Sequence, residues 1–117
     1  MTNRLYGIPN CDTVKKARTW LTEHHYDFQF HDFKKAGLDR ATIESWLQRV
    51  EWEVLINRKG TTWRGLDEAR KASIIDVEHA ILLMLENPSI IKRPVLVTAM
   101  QTCVGFSDDT YQQIFKK

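Results

Sequence analysis

The sequence is short of the residues that interrupt regular structure. It has five glycines and three prolines among 117 residues, too few for a collagen-like or low-complexity chain, and its hydrophobic content of 43% excludes intrinsic disorder. A second core would leave each half of the chain too small to fold alone. We therefore predict a single domain that spans residues 1–117.

An excess of one charge and a long apolar run are both missing. Seventeen Lys and Arg residues against fifteen Asp and Glu give a net charge of +2, which is too weak to indicate binding to nucleic acid or to an anionic membrane. The longest apolar run, residues 80–85, is far shorter than the roughly 18 residues of a membrane helix, and the N-terminal residues lack the apolar core of a signal peptide. We expect a monomeric cytoplasmic protein with no nucleic-acid or membrane partner.

Cysteine is scarce as well. Cys11 and Cys103 are the only two, and in a cytoplasmic chain with its own core both are expected to be reduced thiols. Position 14 is Val, so Cys11 is not part of a Cys-x-x-Cys pair and forms no disulfide within such a motif. No metal site is predicted, because metal-ligand spacing is absent from the four histidines, which are His24, His25, His31 and His79.

The residues that are present predict a strand, a helix and a second strand in the first third of the chain. Residues 4–8 are β-prone and end at Pro9. Residues 11–24 carry apolar side chains at helical spacing, and residues 26–33 alternate between apolar and polar as a half-buried strand does.

The middle of the chain is predicted to be mostly helical. Asp39 is a good N-cap for a helix over residues 40–50, and residues 52–56 form a further helical turn. The polar, basic segment 57–65 is predicted to be an exposed loop without regular structure. Ser73 or Asp76 caps a further helix, whose predicted apolar face consists of Val77, Ala80, Ile81, Met84 and Leu85.

The last part of the chain predicts a β-hairpin and a helix. Residues 95–97 and 102–106 are β-prone and separated by a short turn, and Ser107 or Asp108 caps a helix that ends at Phe115. The order β-α-β, helices, β-β-α matches an α/β fold with a mixed four-stranded sheet, packed helices and a helical insertion. This is the thioredoxin-like, glutaredoxin-type topology.

Cys11 is the candidate nucleophile. It lies where the first strand has ended and the first helix begins, a place where unpaired backbone N–H groups and the helix dipole favour an anion such as a thiolate. This position lowers a cysteine pKa from about 8.5 into a range of roughly 3.5 to 7.5, and Lys15 adds a positive charge one turn further on. The polar neighbours Asn10, Asp12 and Thr13 argue against the alternative that Cys11 is a buried packing residue.

Two groups of cations are candidate anion-binding sites. One lies in the segment 57–64 and includes Arg58, and the other is the run Lys92-Arg93-Pro94. Taken singly, either group is typical of a solvated loop. In a thioredoxin-like fold, however, the X-Pro bond before the third strand lies beside the reactive cysteine, and proline is the residue before which a cis peptide is tolerated. We therefore expect Arg93 beside the thiol.

Four motifs stand in order along the chain and together cover nearly all of it. They are Leu5-Tyr6-Gly7-Ile8-Pro9-Asn10-Cys11-Asp12-Thr13, Asn57-Arg58-Lys59-Gly60-Thr61-Thr62-Trp63-Arg64, Ile91-Lys92-Arg93-Pro94-Val95 and Val104-Gly105-Phe106-Ser107. This set resembles the glutaredoxin-type arsenate reductase family, also called the ArsC/Spx-like family. Within that family it is most similar to the small YffB subgroup, which is regarded as glutathione-dependent thiol reductases.

The resemblance implies a role for each matching position. Cys11 is the redox-active nucleophile, Arg58 and Arg93 bind an oxyanion or a substrate carboxylate, and Pro94 follows a cis peptide. Lys15 stands where arsenate reductases carry an arginine and is expected to assist in anion or glutathione binding. Glutathione is the expected co-substrate and glutaredoxin a further partner, with a small-molecule or protein thiol as substrate and no bound cofactor. Cys103, in a predicted strand, is expected to be a core residue rather than a resolving thiol.

Two alternatives stay open beside the thiol reductase. The first is a true arsenate reductase, which is disfavoured because Gly7 replaces a histidine of those enzymes and a third arginine is missing near Phe106. The second is an Spx-like regulator that binds a protein partner without catalysis. The missing Cys-x-x-Cys pair at Cys11 counts against a regulator switched by a disulfide.

Overall fold

The computed structural model describes residues 3–116. Their contacts divide the chain into two compact units. The sheet unit consists of residues 3–37 and 93–116, and the helical unit consists of residues 38–92.

The secondary structure alternates between strands and helices at both ends of the chain and is helical in the middle. The elements are β1 (Asn3–Gly7), α1 (Asp12–Glu23), β2 (Phe28–Asp32), α2 (Arg40–Leu47), α3 (Trp52–Leu55), α4 (Thr61–Arg64), α5 (Glu68–Ser73), α6 (Val77–Glu86), a 3-10 turn (Pro88–Ile90), β3 (Val95–Val97), β4 (Thr102–Val104) and α7 (Asp108–Phe115). No helix within residues 3–116 is long and apolar enough to cross a membrane.

The sheet unit contains a mixed four-stranded sheet. The strand order is β2-β1-β3-β4, with β1 parallel to β2 and the other two pairs antiparallel. One row of side chains runs across all four strands, because Leu5 pairs with Phe30 on one side and with Leu96 on the other, and Leu96 pairs with Cys103. The predicted mixed α/β sheet of thioredoxin-like topology is confirmed.

The core of the sheet unit lies between this row and two helices. Ala17, Trp20 and Leu21 of α1 and Tyr111 of α7 pack against the strands, and all four are buried. Trp20 also donates its indole N–H to the Asp108 carboxylate at 2.6 Å. The helix that follows β1 is thus fixed to the sheet along its apolar face and to α7 by a hydrogen bond.

The helical unit has its own capped helices and buried side chains. Asp39 accepts a hydrogen bond from the Thr42 N–H at 2.8 Å, and Asp76 accepts one from the His79 N–H at 2.9 Å, so both predicted caps are confirmed. An isolated bridge joins Ile56 to Ile91. The fully buried apolar side chains of this unit are Ile43, Trp46, Leu55, Ala80, Leu83, Met84, Ile90 and Ile91.

Two predictions for the helical unit were wrong, and one helix was missed. Residues 61–64 of the segment expected to be a loop form α4, and α5 was not predicted. Neither helix has a buried residue, so no apolar periodicity exists from which to predict them. Val77, assigned to the apolar face of α6, is 44% exposed; the buried residues of α6 begin one turn later, at Ala80.

Candidate active site

Cys11 lies at the junction of β1 and α1. It is the N-cap residue of α1, with the extended backbone angles φ −94° and ψ 126°. Its N–H donates to the Ile8 carbonyl at 3.2 Å, and its own carbonyl accepts the first helical hydrogen bond from the Lys15 N–H at 2.9 Å. A tight turn therefore joins the strand to the helix, and the thiol is held at the helix N-terminus with intermediate exposure.

The surroundings of Cys11 favour the thiolate. Partial burial is the largest single effect and by itself raises the pKa of the thiol, but the backbone N–H groups of Val14 and Thr13 and the Arg93 side chain stabilise the thiolate and outweigh it. The positive charge of Arg93 acts in the same direction. The pKa of Cys11 is therefore lowered, as expected for a thiol at a helix N-terminus beside an arginine.

Arg93 reaches the thiol from the start of β3. The Arg93-Pro94 peptide bond is cis, and the Pro94 carbonyl accepts a hydrogen bond from the Gly105 N–H at 2.8 Å. Strand β3 follows directly and pairs with β1 at Val95 and Tyr6. The structure thus brings Arg93 beside Cys11, where the topology predicts it, and has the cis peptide that the resemblance implies.

Lys15 and Arg58, the other two predicted anion-binding residues, lie in different surroundings. Lys15 is exposed on the first turn of α1 and is not among the groups that shift the Cys11 pKa most strongly. Arg58 belongs to the helical unit, where its guanidinium lies 5.4 Å from the ring centroid of Trp63 and 6.0 Å from that of Trp52. For both residues a role in anion binding stays a prediction.

The basic segment around Arg58 borders an open pocket of the helical unit. The pocket has a volume of about 400 Å³, and its lining has three positive charges, those of Arg58, Lys59 and Lys92, against the one negative charge of Glu53. Lys92 is held there because its N–H donates to the Leu55 carbonyl at 2.7 Å. Oxyanions and carboxylates are the groups that such a cationic lining attracts.

Cys103 lies away from the helix N-terminus, in β4. It is half-buried and packs against the apolar cluster of the sheet unit that includes Tyr111. Burial, with a smaller effect from Cys103, raises the pKa of the Tyr111 hydroxyl far above its usual value. This placement agrees with the expected core position of Cys103. That Cys103 is not the resolving thiol stays a prediction.

The sequence did not predict the roles of two backbone N–H groups of the site or the need for a glycine at position 7. The Val14 and Thr13 N–H groups belong to the unpaired donors expected at any helix N-terminus, so the start of the helix was their only signal. Gly7 has no room for a side chain beside Val14, a contact that depends on the position of α1 on the sheet. Within residues 3–116 no group of three or more His, Cys, Asp or Glu residues is placed to hold a metal ion.

Proteins of known structure are similar to this chain in both sequence and fold. A YffB protein of known structure is 51% identical with a TM-score of 0.90, over 96% of this chain and 97% of that one. A protein from Brucella melitensis described as related to arsenate reductase (ArsC) is 48% identical with a TM-score of 0.77, over 100% of this chain and 97% of that one.

Relatives in sequence include proteins of two kinds. An uncharacterised protein of Haemophilus influenzae is 41% identical over 111 residues, which are 95% of this chain and 96% of the relative. The global transcriptional regulator Spx of Streptococcus pyogenes is 32% identical over 108 residues, which are 90% of this chain and 78% of the regulator. The ArsC family model matches residues 6–114. The chain therefore belongs to the ArsC family.

Proposed function

We propose that this protein is a thiol-dependent oxidoreductase with Cys11 as its nucleophile and glutathione as its co-substrate. The observation that carries the proposal is the position of the Cys11 thiol at the N-terminus of α1 beside Arg93, surroundings that lower its pKa. A thiolate is the species that attacks disulfides, so a cysteine whose pKa is lowered is suited to thiol exchange. Membership of the ArsC family supports the same chemistry.

The proposed reaction consists of two thiol–disulfide exchanges. The Cys11 thiolate attacks the glutathione sulfur of a mixed disulfide, the sulfur–sulfur bond breaks, and the substrate leaves as a thiolate that takes a proton from water. A glutathione thiolate then attacks the glutathione sulfur of the Cys11 adduct, which releases glutathione disulfide and restores the Cys11 thiolate. The substrate sulfur is reduced from disulfide to thiol and the attacking glutathione sulfur is oxidised from thiol to disulfide, while the glutathione sulfur that passes through the Cys11 adduct stays at the disulfide level, so the electrons balance.

Arg93 acts in this scheme through charge rather than proton transfer. Its guanidinium donates to the Cys11 sulfur, and a fixed donor stabilises the thiolate both before the attack and when it leaves in the second step. We propose that Arg93, Arg58 and Lys15 bind the carboxylates of glutathione, because a guanidinium fork matches a carboxylate and an ammonium supplies a point charge. The reducing cytoplasm is the compartment in which such a monomeric enzyme finds glutathione in its thiol form.

A matched pair of cysteine variants tests the proposal. Cys11→Ser should reduce turnover of a glutathione mixed disulfide to background, while Cys103→Ser, which removes the half-buried thiol of β4, should keep most of the parental rate. The measurement is glutathione-dependent reduction of a small mixed disulfide, followed by mass spectrometry for the Cys11–glutathione adduct. Equal loss in both variants would show instead that Cys103 resolves the intermediate.

Arsenate reduction is a second candidate, favoured by the likeness to the arsenate reductase-related protein of Brucella melitensis. In that reaction the Cys11 thiolate displaces one arsenate oxygen as water, and thiols of glutathione and glutaredoxin supply the two electrons that convert As(V) to As(III). It predicts arsenate-dependent oxidation of glutathione that is lost in Cys11→Ser. If the protein turns over mixed disulfides and does not respond to arsenate, arsenate reduction is excluded and the thiol-reductase function is supported.

A non-catalytic regulator is a third candidate, favoured by the 32% identity to Spx of Streptococcus pyogenes. A binding module has no need of an ionised thiol, so this candidate predicts an alkylation midpoint for Cys11 close to the free value of about 8.5. A midpoint well below that value, together with a glutathione adduct at Cys11, supports the enzyme.

A further inference from the structure

Gly7 is buried at the end of β1 and faces the first turn of α1 without room for a side chain. A Cβ atom on Gly7 would lie 2.8 Å from Cγ2 of Val14 and 3.2 Å from its Cγ1. The first distance is shorter than any that real Cβ atoms adopt. The glycines of the described chain with positive φ are Gly37 and Gly105, so Gly7 is required for space and not for an unusual backbone conformation.

Neither the Val14 side chain nor the backbone at Gly7 can move away to make room for a side chain. Val14 is fully buried, and a β-branched side chain in a helix has essentially one rotamer, so its methyl groups cannot turn away. Gly7 pairs with Asp32 of β2, and its carbonyl accepts a hydrogen bond from the Phe33 N–H at 3.1 Å. A methyl group added at Gly7 would therefore displace the first turn of α1 from the strand.

The displaced turn is the one that holds the reactive sulfur. Cys11 is the N-cap residue of this turn, its carbonyl accepts a hydrogen bond from the Lys15 N–H, and its N–H ties it to the Ile8 carbonyl in the short turn after β1. Because the turn is short, the helix cannot shift at Val14 and keep its N-terminus unchanged at Cys11. The packing of Val14 on Gly7 and the geometry of the thiol are thus mechanically linked.

We propose that Gly7 is a positioning residue for the Cys11 thiol: its missing side chain lets Val14 pack directly on β1, and this contact fixes the first turn of α1, with Cys11 at its N-terminus. The proposal deepens the thiol-reductase function and rests on it only for its effect on turnover. The claim that Gly7 positions the thiol is tested separately, by measuring the ionisation of Cys11.

The test measures the pH midpoint of Cys11 alkylation by iodoacetamide in a Cys103→Ser background. Gly7→Ala should raise the midpoint by at least half a unit, which corresponds to about threefold less thiolate below the midpoint. Val14→Ala added to Gly7→Ala removes the methyl groups that collide and should restore the parental midpoint. Ile81→Val, a mild core change in α6 of the helical unit, controls for loss of stability and should leave the midpoint unchanged.

Several outcomes would overturn the proposal. These are an unchanged midpoint in folded Gly7→Ala, a raised midpoint that Val14→Ala does not restore, or a shift of the same size in Ile81→Val. If circular dichroism shows that Gly7→Ala does not fold, Val14→Ile crowds the same gap from the helix, and an unchanged midpoint in that variant counts equally against it. A parental midpoint near 8.5 overturns both this proposal and the thiolate chemistry, whereas a low midpoint without glutathione turnover overturns only the proposed function.

Discussion

At the scale of single residues, the proposed chemistry depends on whether the Cys11 sulfur is ionised, and this is set by opposing effects on its pKa. Burial opposes ionisation of Cys11, and two backbone N–H groups and one guanidinium overcome it. Any helix that begins at this position provides the backbone donors. The helix does not provide the guanidinium, because Arg93 is remote in sequence and lies just before β3.

Replacing Arg93 should therefore raise the pKa of Cys11. In Arg93→Ala the sulfur loses one hydrogen bond and the adjacent positive charge, so the midpoint of the alkylation rate should move to higher pH and the rate at pH 6 should fall. Arg93→Lys should give an intermediate midpoint, because the charge is kept and the planar fork is lost. The measurement is iodoacetamide alkylation against pH in the Cys103→Ser background. A midpoint in Arg93→Ala equal to that of the parent would show that the backbone donors alone stabilise the thiolate.

At the scale of elements, α1 determines where Cys11 lies, and it is fixed at several points along its length. Its N-terminal turn packs on β1, and Trp20, two turns further on, is 6% exposed and hydrogen-bonded to Asp108 at the start of α7. The hydrogen bond joins two helices that are far apart in the sequence. Removing its acceptor would leave a nearly buried indole N–H without a partner.

Asp108→Ala should consequently destabilise the fold by about 1–2 kcal/mol, the usual penalty for an unsatisfied buried donor. Asp109→Ala is the matched control, because Asp109 lies in the same first turn of α7 and its replacement removes the same favourable charge at the helix N-terminus. The measurement is the free energy of unfolding in urea. If both variants lose the same stability, the charge at the start of α7 matters and the bond to Trp20 does not.

At the scale of the whole molecule, the predicted anion-binding residues divide between the two units. Cys11, Lys15 and Arg93 belong to the sheet unit, and Arg58 belongs to the helical unit. Arg58 lies beside two tryptophans and borders a pocket with two lysines in its lining. The predicted role of Arg58 in binding the substrate can be tested by measuring KM.

Arg58→Ala should raise KM for the glutathione mixed disulfide by roughly tenfold, because a charge-assisted hydrogen bond to a carboxylate contributes about 1.5–3 kcal/mol. The alkylation midpoint of Cys11 should not change, since Arg58 is not among the main groups that act on the Cys11 pKa. Arg64→Ala removes an exposed arginine of the same segment and should have a much smaller effect on KM. Equal KM values for the two variants would contradict a specific role for Arg58.

The sequence by itself determined the order of the strands and of the helices that have an apolar face, and it determined the position of the nucleophile, because these depend on local patterns. The apolar spacing of residues such as Ala17 and Leu21 defines α1, and a cysteine directly before a helix lies beside the unpaired N–H groups of that helix. It did not reveal α4 and α5, which bury no side chain and so have no periodicity. The tertiary structure alone decided which N–H groups and which guanidinium reach the Cys11 sulfur. It alone also decided that Gly7 must lack a side chain, since that requirement arises from the packing of a helix on a strand.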